Sequence, residues 1–167
     1  MGRRVSFAEI RHPAMFLAFG LGSGLAPRAP GTFGTVLGLL LYLPFFWLAW
    51  PWSLALVLGG TLLGVWLCQF ASDRLGEHDH SGIVWDEFVG IWLTLLLLPA
   101  TLSGLILGFL LFRFFDVLKP WPIGWLDRRI HGGLGIMLDD LVAALLAGAS
   151  GWLLMIAWRQ LFAALGS

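Results

Sequence analysis

The chain has 167 residues, 59% of them apolar and only 12% charged, with a mean hydropathy of +0.87 and a formal net charge of zero. A soluble protein averages about 45–50% apolar and about 25% charged residues, so the composition predicts an all-α integral membrane protein, one domain spanning 1–167. Zero net charge argues against a nucleic-acid partner, and the single Cys68 excludes an intramolecular disulfide and a cysteine-rich metal site.

Arg3, Arg4 and Arg11 place the N-terminus in the cytoplasm by the positive-inside rule. The apolar stretches are too many and too central for a cleavable signal peptide. After a short apolar run, GLGSGLAPRAPGTFGT (20–35) is rich in Gly and Pro and predicts an irregular loop that ends where Pro30 opens a helix. The apolar runs Thr35–Trp50 and Trp52–Ala71 then read as a helical hairpin broken at Pro51, each arm near the roughly 20 residues needed to span a bilayer. A polar loop, SDRLGEHDHSG (72–82), follows. The run Ile83–Leu118 is either one ragged crossing or a second hairpin turning at Pro99–Ser103. The hairpin is preferred, because Pro is poorly tolerated inside a helix and because Arg74, Lys119, Arg128 and Arg129 then share the face of Arg3 and Arg4. A last segment, Leu141–Ala157, completes about five transmembrane helices and leaves Arg159 on the opposite face. Trp47, Trp50 and Trp52 at one boundary, and Trp121 and Trp125 at another, suit the headgroup zone.

In the preferred topology Asp86 lies 13 residues before Pro99 and Asp116 lies 13 after Ser103. Both then sit roughly 20 Å from the turn, at one depth. The same cytoplasmic ends bring in Glu87, Asp139 and Asp140. A carboxylate inside a bilayer costs about 2.5–3.5 kcal/mol, so five at the membrane boundary call for a partner. A hard divalent cation such as Mg²⁺, which takes oxygen ligands and substrate phosphate, would supply it. Ordinary alternatives are helix caps and ion pairs: Asp139 and Asp140 point about 100° apart on a helix, so one of them would cap the last helix, and Arg113 would pair with Asp116.

Arg113, Lys119, Arg128 and Arg129 suit phosphate, Arg by bidentate contacts and Lys as a point charge, although basic residues beside a membrane also simply meet anionic headgroups. Lys119 stands out in KPWP, where two prolines stiffen its backbone. The loop APRAPGTFGT offers a second anion site: Gly31 and Gly34 allow close approach, Thr32 and Thr35 add hydroxyls, Arg28 adds charge, and a helix N-terminus follows. A Gly and Thr cap explains it equally well. His78, Asp79 and His80 are candidates for proton transfer, with His78 also a candidate substrate contact, or else members of a solvated loop. CQFASDR (68–74) has the Cys-x5-Arg spacing of cysteine phosphatases, but it ends an apolar helix and lacks the small, Gly-rich residues that would wrap a phosphate.

Three segments together resemble the phosphatidylglycerophosphatase A family of bacterial membrane phosphatases: GSGLAPRAPGTFGT (22–35), HDHSGIVWDEFVGIW (78–92) and FRFFDVLKPWPIGWLDRRIHGGLGIMLDD (112–140). The resemblance runs from about residue 18 to 148. It implies Mg²⁺-dependent hydrolysis of phosphatidylglycerophosphate, a phospholipid substrate, to phosphatidylglycerol and phosphate at the cytoplasmic face of the inner membrane. On that reading Asp86, Glu87, Asp116, Asp139 and Asp140 hold one or two Mg²⁺ ions, while Lys119, Arg113 and the Thr32–Thr35 loop neutralise the phosphate. The DxDx(T/V) pattern of haloacid dehalogenases is absent, which favours direct attack by water over a phospho-enzyme. Two rivals stand beside this expectation: a phosphatase acting on another lipid phosphate, and a small ion-coupled transporter. The transporter requires charges near mid-span, and 36–50, 52–71 and 141–157 contain none.

Overall fold

A computed structural model describes residues 5–165; the predicted topology signals Arg3 and Arg4 lie outside them. Every regular element among the described residues is a helix, with no strand: α1 (Pro13–Ala18), α2 (Pro30–Tyr42), α3 (Trp50–Leu75), α4 (Trp85–Leu97), α5 (Leu102–Leu118), α6 (Ile123–Arg129) and α7 (Gly132–Leu165), with 3₁₀ turns at Gly20–Leu25 and Leu43–Phe45.

α4 is the axis of the bundle and packs against α2, α3, α5 and α7. Its sequence explains that position. Trp85, Phe88, Val89, Ile91, Trp92 and Leu95 leave no polar stripe below the first turn, and all are buried. Helices whose neighbours are as apolar as lipid associate by close packing and by satisfying buried polar groups. Both devices are present. The Trp92 indole donates to Gly38 O of α2 at 2.8 Å and the Trp85 indole to Gly60 O of α3 at 3.0 Å. A Cβ on Gly38 would come within 2.9 Å of the Phe88 Cα, so only glycine lets α2 and α4 lie this close.

The outer helices face the other way. α3 and α7 are long and apolar enough to cross a membrane, with windows of mean hydropathy 1.9 and 2.0 of which only 33% and 28% are buried in the protein. Leu62, Leu153, Leu102, Leu110 and Trp158 stand more than half exposed around the bundle. Apolar surface on this scale marks an interface with lipid or protein rather than with water. Trp47, Trp50, Trp52, Trp121 and Trp125 are likewise exposed, at helix ends.

Pro30 occupies the first turn of α2, as expected, since it loses no hydrogen bond there. Pro99 lies in the short break between α4 and α5, after which Thr101 caps α5 by accepting from Gly104 N at 3.1 Å. Several boundaries differ from expectation. α2 ends at Tyr42 and is only 13 residues long; Pro51, expected to break a hairpin, opens α3 from within its first turn. The stretch left between the expected segments ending at Leu118 and starting at Leu141 contains α6 and the start of α7. The last helix begins at Gly132, nine residues before the expected Leu141, so neither Asp139 nor Asp140 caps it. Glycines at 132, 133 and 135 masked this start, because they read as breakers, whereas Gly132 makes the entry turn at φ +76° and Gly133 packs directly on the α3 backbone.

Candidate active site

Four helix segments converge on one cavity of about 360 Å³. α4 opens at Trp85, which sets Asp86 and Glu87 in its first turn, where the positive end of the helix dipole favours carboxylates. The last two turns of α5 bring Arg113 and Asp116. Lys119 closes that helix in a left-handed conformation (φ 41°), its N–H donating to Phe115 O at 2.9 Å, which turns its side chain back over the end of α5 toward α7. α7 contributes Asp139 and Asp140 from its third turn. The first turn of α2 forms the opposite wall. A Cβ on Gly31 would stand 2.2 Å from Glu87 Oε1, so the missing side chain is what admits that carboxylate.

Asp86, Glu87, Asp116, Lys119, Asp139 and Asp140, the six candidate catalytic residues, therefore all line the same cavity, together with Arg113 and Gly31. The five carboxylates are not equivalent. Asp86, Glu87 and Asp140 each present an oxygen within 4.8 Å of the other two. Asp86 Oδ1, Glu87 Oε2, Asp139 Oδ1 and Asp140 Oδ2 are buried without a hydrogen-bond partner. Buried charge without a partner is strongly unfavourable, and an all-oxygen donor set of this kind fits a hard cation. The site can thus hold a divalent metal ion, with Asp86, Glu87 and Asp140 as the compact ligand group.

The remaining carboxylates are engaged by cations. Asp116 accepts from Arg113, whose guanidinium also donates to Thr35 Oγ1 at 3.4 Å and lies 3.9 Å from Glu87 Oε1. Thr35 is buried and donates in turn to Gly31 O at 2.8 Å. Lys119 Nζ donates to Asp127 at 2.7 Å and to Asp139 at 2.5 Å. Burial works against the Lys119 charge, but the two carboxylates outweigh it and hold its pKa above the ordinary lysine value. The expected Arg113–Asp116 ion pair exists, then, but inside the cavity wall rather than as surface decoration.

Other candidates lie elsewhere. Arg28 is exposed and Thr32 half-buried, and neither lines the cavity. His78 is exposed and accepts from Gly132 N at 2.8 Å. His80 is buried and accepts from Gly82 N at 3.0 Å. Arg128 and Arg129 are exposed, Arg129 lying 5.7 Å from the Trp125 ring centre. Cys68 is buried within α3, where no phosphate loop can form around it. Conversely, Asp79 and Ser81 line the cavity and Asp127 anchors Lys119. The HDHSG stretch was the only sequence signal for the first two, and Ser81 carried none of its own.

The chain matches the family model for phosphatidylglycerophosphatase A over residues 16–155. It is 45% identical over 144 residues to the Escherichia coli (strain K12) phosphatidylglycerophosphatase A, covering 83% of this chain and 81% of that protein. It is 42% identical over 142 residues to the Haemophilus influenzae phosphatidylglycerophosphatase A, covering 83% and 86%. A Bacteroides thetaiotaomicron protein provisionally named a phosphatidylinositol-3-phosphatase is 36% identical over 150 residues, covering 84% and 89%. No solved structure gives a significant match. With the family model and the relatives both spanning most of the sequence, cavity residues included, the chain belongs to the phosphatidylglycerophosphatase A family and is a phosphatase.

Proposed function

We propose that the chain hydrolyses the terminal phosphomonoester of phosphatidylglycerophosphate, giving phosphatidylglycerol and inorganic phosphate in phospholipid synthesis, with Mg²⁺ as its metal. The observation that carries this reading is the pairing of buried, unpartnered carboxylate oxygens on Asp86, Glu87 and Asp140 with two cations, Arg113 and Lys119, around a single cavity. A doubly charged phosphate needs that combination, because a wall of carboxylates alone would repel it.

Asp86, Glu87 and Asp140 would hold the ion, with Asp116 and Asp139 adjoining. When bound, Mg²⁺ supplies Lewis-acid polarisation of the phosphoryl oxygens and neutralises charge developing on them. The protein's own part is positioning. Arg113, braced by Asp116 and Thr35, presents donors to the phosphoryl oxygens; Lys119, braced by Asp127 and Asp139, adds a fixed positive charge. Water attacks phosphorus directly. Asp139, with one oxygen on Lys119 and the other unpartnered, accepts the proton that the water releases; as the P–O bond to glycerol breaks, the leaving oxygen takes that proton back from Asp139.

The whole chain is read as a single membrane-embedded domain in the bacterial inner membrane, crossing about five times through two hairpins, α2–α3 and α4–α5, and then α7. The cavity opens at the cytoplasmic face. Support for that orientation comes from the basic residues Arg74, Lys119, Arg128 and Arg129, which border the cavity end of the bundle, whereas Arg159 lies at the far end of α7.

A second reading keeps the site and changes the lipid phosphate; the Bacteroides relative favours it by its name. Detergent-purified protein tested for phosphate release from phosphatidylglycerophosphate, phosphatidic acid and phosphatidylinositol 3-phosphate, with Mg²⁺ and with EDTA, decides. The proposal expects preference for the first and loss in EDTA. Release from none of them would return the transporter to contention. Asp116→Asn should abolish turnover while the protein remains inserted, and near-normal activity would remove Asp116 from the mechanism.

A further inference from the structure

We infer that His78 and Gln69 are positioning residues: they fix the register of α7 against α3 and so set where Asp140 stands relative to Asp86 and Glu87. The inference rests on the metal-site reading above and adds two residues that touch neither metal nor substrate.

The first N–H groups of a helix have no partner within it. In α7 two of them are capped by other elements: Gly132 N donates to His78 Nε2 at 2.8 Å, and Gly133 N donates to Gln69 Oε1 at 2.8 Å. Each acceptor is itself oriented. The Gln69 amide donates to Asp73 at 2.8 Å, which turns its oxygen toward α7, and the His131 ring meets the His78 ring edge-on at 5.3 Å. The joint admits no side chain: a Cβ on Gly133 would stand 2.0 Å from Val65 O and 2.6 Å from Gln69 N, so α7 rests directly on the α3 backbone. Gly132, at φ +76°, makes the entry turn.

Seven residues separate Gly133 from Asp140, two helical turns, so both lie on one face, and the residues between and beyond them on that face (Ile136, Met137, Ala144, Ala147) are buried. Rotation or sliding of α7 at the joint therefore carries Asp140 with it. His78 and Gln69 lie outside the cavity lining, roughly 10 Å of helix away.

The test uses the full chain purified in detergent, with three variants, His78→Ala, His78→Gln (which keeps an acceptor near Nε2) and Gln69→Ala, each checked for monodispersity and thermal unfolding. With phosphatidylglycerophosphate and Mg²⁺, His78→Ala and Gln69→Ala should each lose roughly tenfold to a hundredfold in kcat, as a misplaced ligand would cause. Their KM should stay within about twofold, because no substrate contact is removed. His78→Gln should restore most of kcat. Mn²⁺ affinity, read by electron paramagnetic resonance, should weaken roughly tenfold in both alanine variants, the scale of losing an outer-shell support. A raised KM at normal kcat in His78→Ala would overturn the inference, as would normal kcat and normal Mn²⁺ affinity in Gln69→Ala or a His78→Gln variant as impaired as His78→Ala. Should His78→Ala fail to fold, Gln69→Ala and His78→Gln carry the test. Should the wild type release no phosphate from this lipid, the substrate reading fails, while the Mn²⁺ affinities still judge the joint.

Discussion

α4 and α7 both bring carboxylates to the cavity, from opposite kinds of helix. α4 is 13 residues long, wrapped by α2, α3, α5 and α7, and carries Asp86 and Glu87 in its first turn. α7 is 34 residues long, faces largely outward, and carries Asp139 and Asp140 in its third turn. The helix dipole acts within the first turn and fades beyond it. Asp86 and Glu87 therefore have support from their own backbone, whereas Asp139 relies on Lys119 and Asp140 has no cationic partner among the described residues. Asp140 is the ligand whose charge depends most on a bound cation, and the one whose place depends on a distant helix joint.

After the loss expected for Asp116→Asn, the largest effect should come from breaking that contrast at α7. Asp140→Asn should lower phosphate release from phosphatidylglycerophosphate by roughly 10³-fold, and Asp86→Asn by roughly 10²-fold, since Glu87 remains in the same favoured turn. Parallel kcat measurements would check this, and equal losses would remove the distinction between the two helices. Arg113→Lys comes next. Losing the planar guanidinium that joins Asp116, Thr35 and the phosphate should raise KM roughly tenfold or more in steady-state assays.

Lys119→Met tests the bracing of Asp139. Because the Lys119 pKa is raised in the folded protein, its stabilising contribution is fully present below the unfolded value of about 10.4 and is lost only as pH rises through the higher folded value. Thermal unfolding should show the variant about 2 °C less stable, by the same margin at every point between pH 7 and 9. A margin that shrinks across that range would show that Lys119 titrates there. The smallest effect is expected for Arg28→Ala, outside the cavity: activity within about twofold of wild type, on the scale of ordinary surface changes.

Much of this was legible in the sequence because charge inside an apolar chain is conspicuous. Charge scarcity drew attention to 112–140, and the hairpin topology with the family resemblance narrowed it to Asp86, Glu87, Asp116, Lys119, Asp139, Asp140 and Arg113, which the cavity brings together; depth arithmetic brought Asp86 level with Asp116. What escaped has identifiable causes. The GGLG run hid the start of α7, because glycine propensity opposes a helix that tertiary packing, at Gly133 directly on α3, imposes. His78 looked like a substrate contact, because nothing local shows that its acceptor serves Gly132, 54 residues away. Thr35 was expected on phosphate but bonds Gly31 O and Arg113, one step behind the surface it was assigned to. The proposed division of five carboxylates into a ligand group and a bracing group depends on which oxygens meet across α4, α5 and α7, and spacing along the chain carries no record of it.

Mn²⁺ binding to the purified chain, followed by electron paramagnetic resonance, tests the central claim most directly. The account predicts specific binding in the wild type, its loss in Asp86→Asn and Asp140→Asn, and its retention in Arg113→Lys, which leaves every carboxylate in place and keeps a positive charge beside Glu87. Undiminished binding in the two aspartate variants would contradict it.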